Sequence, residues 1–428
     1  MLIISGMVAP SARANDALTA AEQKVVQAVD ARIEEQIAFL EKVVNINSDT
    51  LNLAGVREVG DVMGQAYKEI GFDVQWVDLP TAMHRAGHLV VKHEGNSPKR
   101  ILLLGHLDTV FPKDGDFQTF ERFGNQAKGP GLSDMKSGNV IMLFALKALK
   151  DAGLLDDVNV VALYTGDEEK VGKPFQVSRQ AMVDLAKASD AALSFEGGRP
   201  DTAVVARRGS SGWRLSVTGT RAHSSAIFRD QVGAGAIFEM SRILNSFYED
   251  VRGEDYLTFN PGILVGGTKI DADWQQSTAS VFGKTNVVAQ TAEVAGGLRF
   301  ISEEQKERTR EKMRKIVADN LPGTSAEITF TDSYPAMPPT PGNYALLDVL
   351  SGVNVALGLG EVKANDPGSR GAGDVSFVAP YVSGIDGLGG SGRGGHTFDE
   401  ELDLRSLAPM TKRAALLIYR LAHGAAEK

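Results

Sequence analysis

The chain has 428 residues, no Cys, 7 His and a formal net charge of -9, from 45 Lys and Arg against 54 Asp and Glu. That length exceeds one ordinary hydrophobic core, so two domains are expected. The acidic balance without a basic cluster argues against nucleic acid as a partner, and no run of 18 uninterrupted apolar residues offers a membrane-spanning helix.

The N-terminal run Leu2-Ile3-Ile4-Ser5-Gly6-Met7-Val8-Ala9-Pro10 is apolar, and Ser11-Ala12-Arg13-Ala14 resembles a small-residue cleavage site. A basic start is absent, so residues 1–20 read as a shortened signal peptide or a disordered tail. The first reading implies a periplasmic or secreted protein, the second a cytoplasmic one. Residues 22–44 and 56–70 carry amphipathic helical patterns, and short strands and helices then alternate to about residue 205. Such alternation predicts a mixed, largely parallel α/β sheet flanked by helices.

Five stretches in this frame carry polar residues suited to chemistry. The apolar run Ile101-Leu102-Leu103-Leu104 ends in Gly105-His106-Leu107-Asp108-Thr109. A glycine-rich turn, Gly129-Pro130-Gly131, delivers Asp134 just before the helical pattern 139–150. A strand over 158–164 leads to Gly166-Asp167-Glu168-Glu169, the run Ala191-Ala192-Leu193-Ser194-Phe195 leads to Glu196, and Gly394-Gly395-His396-Thr397 lies near the C-terminus. Strand ends are where α/β sheets build sites. Singly, each stretch has a plainer reading, such as a helix cap for Asp134 or a solvated acidic loop for 167–169. Together they supply His and carboxylate donors for a divalent metal, and the lack of Cys leaves only nitrogen and oxygen ligands. A metal pair needs one bridging ligand and about two terminal ligands per ion. His106, Asp134, Glu169, Glu196 and His396 meet that count and leave Glu168 over as a base.

From residue 209 the character changes. Strands are predicted at 211–218, 262–267, 280–288, 293–300 and 326–330, with helices at 233–248 and 303–320. With one strand in excess, this order suits the strand-helix-strand-strand-helix-strand pattern of a ferredoxin-like α+β domain inserted at 209–332. The proline-rich segment 332–342 reads as the return linker. The resulting division is 21–208 and 333–428 for the two parts of the main domain.

The order and spacing of these motifs resemble the dizinc aminoacylase/carboxypeptidase metallopeptidase family, most closely its glutamate carboxypeptidase (carboxypeptidase G type) branch. The matching signatures are Gly-His-Leu-Asp-Thr-Val, Gly-Pro-Gly-x-x-Asp-Met-Lys-x-Gly, Asp-Glu-Glu, Ser-Phe-Glu and Gly-Gly-His-Thr, spread over residues 105 to 397. The resemblance implies a zinc-exopeptidase catalytic domain and two Zn²⁺ per chain, with Co²⁺ or Mn²⁺ able to substitute. Asp134 would bridge, His106 and Glu196 would complete one ion, and Glu169 and His396 the other. Asp108 would orient His106, Glu168 would be the general base, and the Asp134–Met135 peptide would be cis. In the insert, His223 of Gly219-Thr220-Arg221-Ala222-His223-Ser224 would reach a partner subunit's site and stabilise an oxyanion. Asn286 and Arg299 would bind substrate, and the reach of His223 into the partner would make the insert a dimerisation domain of a homodimer.

The implied substrate is a small peptide or N-acyl amino acid cut at its C-terminal amide, with release of glutamate as one option. Two features depart from the pattern. Glutamate-specific members have Arg before a Pro-Ala pair where this chain has Tyr334-Pro335-Ala336, and Met135 follows the bridging Asp. The first removes one anchor for an acidic side chain; Arg207-Arg208 is an alternative anchor. Aminoacylase, deacylase or dipeptidase activity would use the same metal site. A binding protein that has lost the chemistry is the non-enzymatic alternative, disfavoured because Glu168 and all five ligands are retained.

Overall fold

The strand Arg100–His106 lies at the heart of a six-stranded sheet and runs parallel to both neighbours, Asn159–Thr165 and Ala191–Ser194. The computed structural model that shows this describes residues 17–274 and 276–425. The leader expected at 1–20 therefore falls largely outside the described residues. Its last part is already ordered, since the Thr19 hydroxyl accepts Glu22 N (3.2 Å) and caps the helix Ala20–Ala31.

The chain divides into two compact units. One comprises the described residues up to Ala203 with Thr340–Ala364 and those from Tyr381 onward; the other comprises Val204–Pro339 and Asn365–Pro380. The segment 365–380 had been expected in the second catalytic part, yet it clusters with the insert. There the Arg207 guanidinium donates to the main-chain oxygens of Gly371 (2.9 Å) and Ala372 (3.1 Å).

In the first unit the sheet order is Asp73–Val77, His88–His93, Asn159–Thr165, Arg100–His106, Ala191–Ser194, Gly384–Ile385. His88–His93 runs antiparallel to both of its neighbours and the remaining three pairings are parallel, the mixed and largely parallel sheet that the sequence predicts. Ile101, Leu102, Leu103 and Leu104 are all buried, which is why this strand reads as an unbroken apolar run. The helix Ser137–Asp151 is buried along almost its whole length and packs beside Leu407–Ala422. The single helix expected over 22–44 is two, Ala20–Ala31 and Ile33–Val44. The break is at Arg32 (φ -112°, ψ 8°), whose guanidinium reaches Asp151 Oδ1 (3.1 Å).

A smaller antiparallel sheet has the order Gly392–Arg393, Glu401–Asp403, Gln126–Lys128, Glu121–Phe123. Strands of two or three residues leave no readable periodicity, so this sheet is not legible in the sequence. It sets the site nonetheless. The loop 394–400 joins its first two strands, Lys128 lies opposite Glu401, and the chain passes from Lys128 straight into 129–134.

The second unit carries a four-stranded antiparallel sheet in the order Thr258–Gly267, Thr291–Phe300, Gly209–Gly219, Thr324–Asp332. The helices Ala236–Ser246 and Glu303–Ala318 complete the expected ferredoxin-like pattern. Alternate residues Trp213, Leu215 and Val217 point into a core with Ile243, Phe247, Val294, Leu298 and Met313. The strand expected at 280–288 is not in this sheet. Lys269–Asp273 and Thr278–Phe282 instead form a separate hairpin, and the chain turns at 284–287 with Val287 N bonded to Lys284 O (3.1 Å). Among the described residues no helix is long and apolar enough to cross a membrane.

Candidate metal centre

Three strands of the larger sheet release their chains at the same edge: Arg100–His106 ends in His106, Asn159–Thr165 leads to Glu168 and Glu169, and Ala191–Ser194 leads to Glu196. The His106 side chain is 1% exposed. Its Nδ1 is 2.9 Å from the main-chain oxygen of Asp108 and 3.5 Å from that residue's carboxylate. An acceptor there holds the proton on Nδ1 and leaves the Nε2 lone pair for a ligand. Nε2 lies 3.1 Å from Asp134 Oδ1 and 3.7 Å from Glu196 Oε1.

Asp108 thus orients His106 chiefly through its main chain. Its carboxylate is engaged elsewhere, accepting Glu168 N (3.0 Å), Glu169 N (3.1 Å) and Thr50 Oγ1 (2.6 Å). Those bonds hold the acidic turn against the end of the His106 strand.

Asp134 arrives on a tight turn opened by Gly131 at φ 74°, and the Asp134–Met135 peptide is cis, as the resemblance implies. A Cβ at Gly138 would stand 1.9 Å from the main-chain oxygen of Phe195, so glycine alone lets the following helix approach the segment that carries Glu196. Asp134 Oδ1 faces His106, and Oδ2 is 3.0 Å from His396 Nε2. The same Nε2 is 3.0 Å from Glu169 Oε2. One carboxylate therefore addresses two imidazoles, one oxygen to each, with a further carboxylate beside each imidazole. Donor atoms of His106, Asp134 and Glu169 lie within 4.8 Å of one another, and Glu169 Oε1 is buried without a hydrogen-bond partner. An orphaned buried carboxylate oxygen among nitrogen and oxygen donors fits a divalent cation.

The electrostatics are those of a site crowded with acids. Burial opposes a charge on His106, but its bonds to Asp108 and Asp134 and the charges of Glu196 and Glu168 outweigh that and hold its pKa well above the usual imidazole range. The carboxylates of Asp134 and Glu169 hold His396 up to about 10. Asp134 is half-buried, and desolvation works against its ionisation, yet the two imidazoles keep it well below the usual carboxylate range. Glu169 goes the other way, raised by burial.

Two supporting residues carry no recognisable signal in the sequence. Glu400 is wholly buried, and its carboxylate accepts Gly131 N, Ser133 N, Ser133 Oγ and Asp134 N. Arg179, also buried, pairs with Asp167 just before Glu168. The only hint of either in the sequence is a charged residue near a motif, and most such residues are solvated.

His223, Asn286 and Arg299 belong to the second unit. His223 Nδ1 accepts Ser225 N (3.2 Å), which places the proton of a neutral imidazole on Nε2. Asn286 is its neighbour, since Asn286 O accepts Ser224 N (2.9 Å) and His223 bridges to Val287. Arg299 lies elsewhere, between Thr258 and Ser210 at the far end of the sheet, with its pKa lowered by partial burial and by the charge of Arg208. Ser210 and Gly219 stand at opposite ends of one strand, about 30 Å apart at strand rise, and His223 lies beyond Gly219. Within one chain, then, Arg299 and His223 do not meet.

Comparison with known proteins finds relatives in sequence and in fold. Residues 102–420 match Peptidase family M20/M25/M40. Carboxypeptidase G2 of Pseudomonas sp. (strain RS-16) is 27% identical over 402 residues, covering 91% of this chain and 89% of that protein. In fold, the chain is similar to aminopeptidase PepT from Bacillus cereus, with a TM-score of 0.70 at 18% identity, covering 91% of this chain and 99% of that one. A dinuclear metal-binding peptidase of family M20 from Bacillus subtilis gives 0.63 at 13% identity, over 92% and 99% of the two chains. The matched span holds His106, Asp134, Glu169, Glu196 and His396 and most of both units, and the chain belongs to peptidase family M20/M25/M40.

Proposed function

We propose that the chain is a dizinc exopeptidase that hydrolyses the C-terminal amide of a small peptide or N-acyl amino acid, with glutamate the first released residue to test. The observation that carries this reading is Asp134, whose two oxygens each face one imidazole. His106 and Glu196 would hold one ion, Glu169 and His396 the other, and Asp134 both. Bound zinc supplies Lewis acidity, which acidifies water and polarises a carbonyl. Glu168 takes the proton that the attacking water loses and returns it to the leaving amine. Its backbone is fixed by the bond from its N–H to Asp108, and its charge is felt by His106.

The reading extends to a homodimer. The separation of Arg299 from His223 along one sheet supports it, because one substrate could use both only if they came from different subunits. A two-fold assembly would give each site Arg299 from one chain and the His223 Nε2–H from the other, to grip a carboxylate and to stabilise the oxyanion. Ile237, Phe238 and Leu264 are exposed apolar residues on the helix and the outermost strand of this unit, as an interface would need.

A panel of N-acyl amino acids with varied C-terminal residues, assayed with added Zn²⁺, tests the proposal. Hydrolysis that requires a free C-terminal carboxylate is the expected result. Cleavage confined to unblocked dipeptides or to N-succinyl substrates would replace the carboxypeptidase reading with a dipeptidase or a deacylase.

A further inference from the structure

We propose that Glu400 is a positioning residue that makes Asp134 and His396 one rigid ligand pair, so that it governs metal affinity without touching a metal. The inference rests on reading the His/Asp/Glu cluster as a metal site.

The small antiparallel sheet is the starting point. Glu401 pairs with Lys128 and with Arg393, so the loop 394–400 and the turn 129–134 rise side by side from adjoining strand ends. Glu400 stands where the two meet. Its main-chain oxygen accepts Gly129 N (3.3 Å), and its main-chain N–H donates to Thr397 O (3.2 Å). Thr397 in turn closes the loop on Gly394 O through its N–H (3.0 Å) and its hydroxyl (2.7 Å). The side chain crosses to the other loop. Oε2 accepts Gly131 N (2.8 Å), and Oε1 accepts Ser133 N (2.7 Å), Ser133 Oγ (2.9 Å) and Asp134 N (3.0 Å).

A carboxylate with no solvent exposure is costly unless donors surround it. Here four donors converge, three of them main-chain N–H groups of the turn that presents Asp134. The loop-closing bonds on the far side belong to the residues around His396. Glu400 therefore sets the spacing of two groups whose reacting atoms, Asp134 Oδ2 and His396 Nε2, lie 3.0 Å apart. Because Asp134 also faces His106, a tilt of its turn disturbs both halves of the cluster.

Glu400→Gln keeps the shape but turns an NH₂ group toward main-chain donors on one side. The full-length protein is stripped with chelator and titrated with Zn²⁺ against a competing chromophoric chelator, beside a thermal scan of the metal-free form. Zinc affinity is expected to fall about 10–100-fold at both positions together, as when groups that orient metal ligands are lost. Ser133→Ala removes one of the four bonds and should give a smaller loss in the same direction; it decides the matter if Glu400→Gln does not fold. Wild-type affinity in both variants, with only a lower metal-free melting point, would make Glu400 a merely structural residue and overturn the inference. Loss of one ion with the other unchanged would also overturn it, since Asp134 would then not be the group displaced. A wild-type protein that takes up no zinc would sink the metal-site reading itself.

Discussion

Asp167 and Arg179 form an ion pair with essentially no exposure to solvent, Oδ1 to Nη1 2.5 Å, immediately before Glu168 and Glu169 of the candidate metal centre. Asp167 Oδ2 also accepts Gly172 N (2.8 Å) and Ser178 Oγ (2.7 Å). Of three consecutive acids, the first thus turns into the protein toward its own cation, and the other two are left for the site. Turning Asp167 away relieves part of the repulsion among three adjacent acids.

Removing the cation should be severe. Arg179→Met leaves a buried carboxylate uncompensated, and a loss of about 3–5 kcal/mol in unfolding free energy is expected from chemical denaturation. The pH profile carries the diagnosis. Burial alone would raise the Asp167 pKa, but Arg179, His88 and the hydrogen bonds hold it below the ordinary value. Its contribution is therefore present above the unfolded pKa, near 4, and is lost as pH falls through the lower folded value. Without Arg179, burial wins and the folded pKa moves above the unfolded one, so stability should instead decline as pH rises from about 4. Parallel pH profiles for variant and wild type would show that Arg179 does not set the charge on Asp167.

Glu168→Gln should keep fold and zinc content yet lose nearly all turnover, because it removes the proton acceptor and no proposed ligand. Metal analysis and single-turnover kinetics check this together. Substantial kcat in a metal-replete variant would mean that another group moves the proton.

The ligand assignments predict different stoichiometries. Asp134→Ala should disturb both ions, whereas His396→Ala should lower zinc toward one per chain. Proton competition adds a pH signature. In metal-free protein Asp134 and Glu169 push the His396 pKa up to about 10 from the ordinary 6.5, so its stabilising charge is complete below 6.5 and lost as pH rises through 10. Zinc must displace that proton. The gap in melting temperature between zinc-loaded and chelator-treated protein should therefore widen from pH 6.5 to 9; a constant gap would remove His396 from the ligand set.

The dimer proposal is tested by mixing inactive chains. Glu168→Gln combined with His223→Ala should recover activity if His223 serves its partner. With half the population as heterodimers, about one site in four would be intact in a two-fold dimer. No recovery despite demonstrated subunit exchange would return His223 to its own chain or remove it from catalysis.

Much of the fold and of the candidate ligand set was legible because the signals are local. His106 and Glu196 follow apolar runs, and Asp134 and His396 sit in glycine-rich turns whose composition betrays the backbone they need. The second unit declared itself through alternation such as that of Trp213, Leu215 and Val217. Glu400 and Arg179 were illegible because their meaning lies in partners brought by the fold: Glu400 bonds a turn more than 260 residues away in sequence. Thr278–Phe282 has strand composition but pairs only within its own hairpin, and composition does not name a partner.

The first unit is discontinuous in sequence, and that has a consequence for its biosynthesis. Ala191–Ser194 is flanked on one side by Gly384–Ile385, which leaves the ribosome only after the whole of Val204–Pro339. Until then the nascent sheet presents an unpaired strand edge, and His106, Asp134, Glu169 and Glu196 are made while His396 is not. The core of the second unit is drawn from Trp213 to Ala336, so it can fold during that wait, as domains generally do during synthesis. The full set of proposed ligands is thereby completed only when translation is nearly finished, and until then the waiting strand edge is open to mispairing.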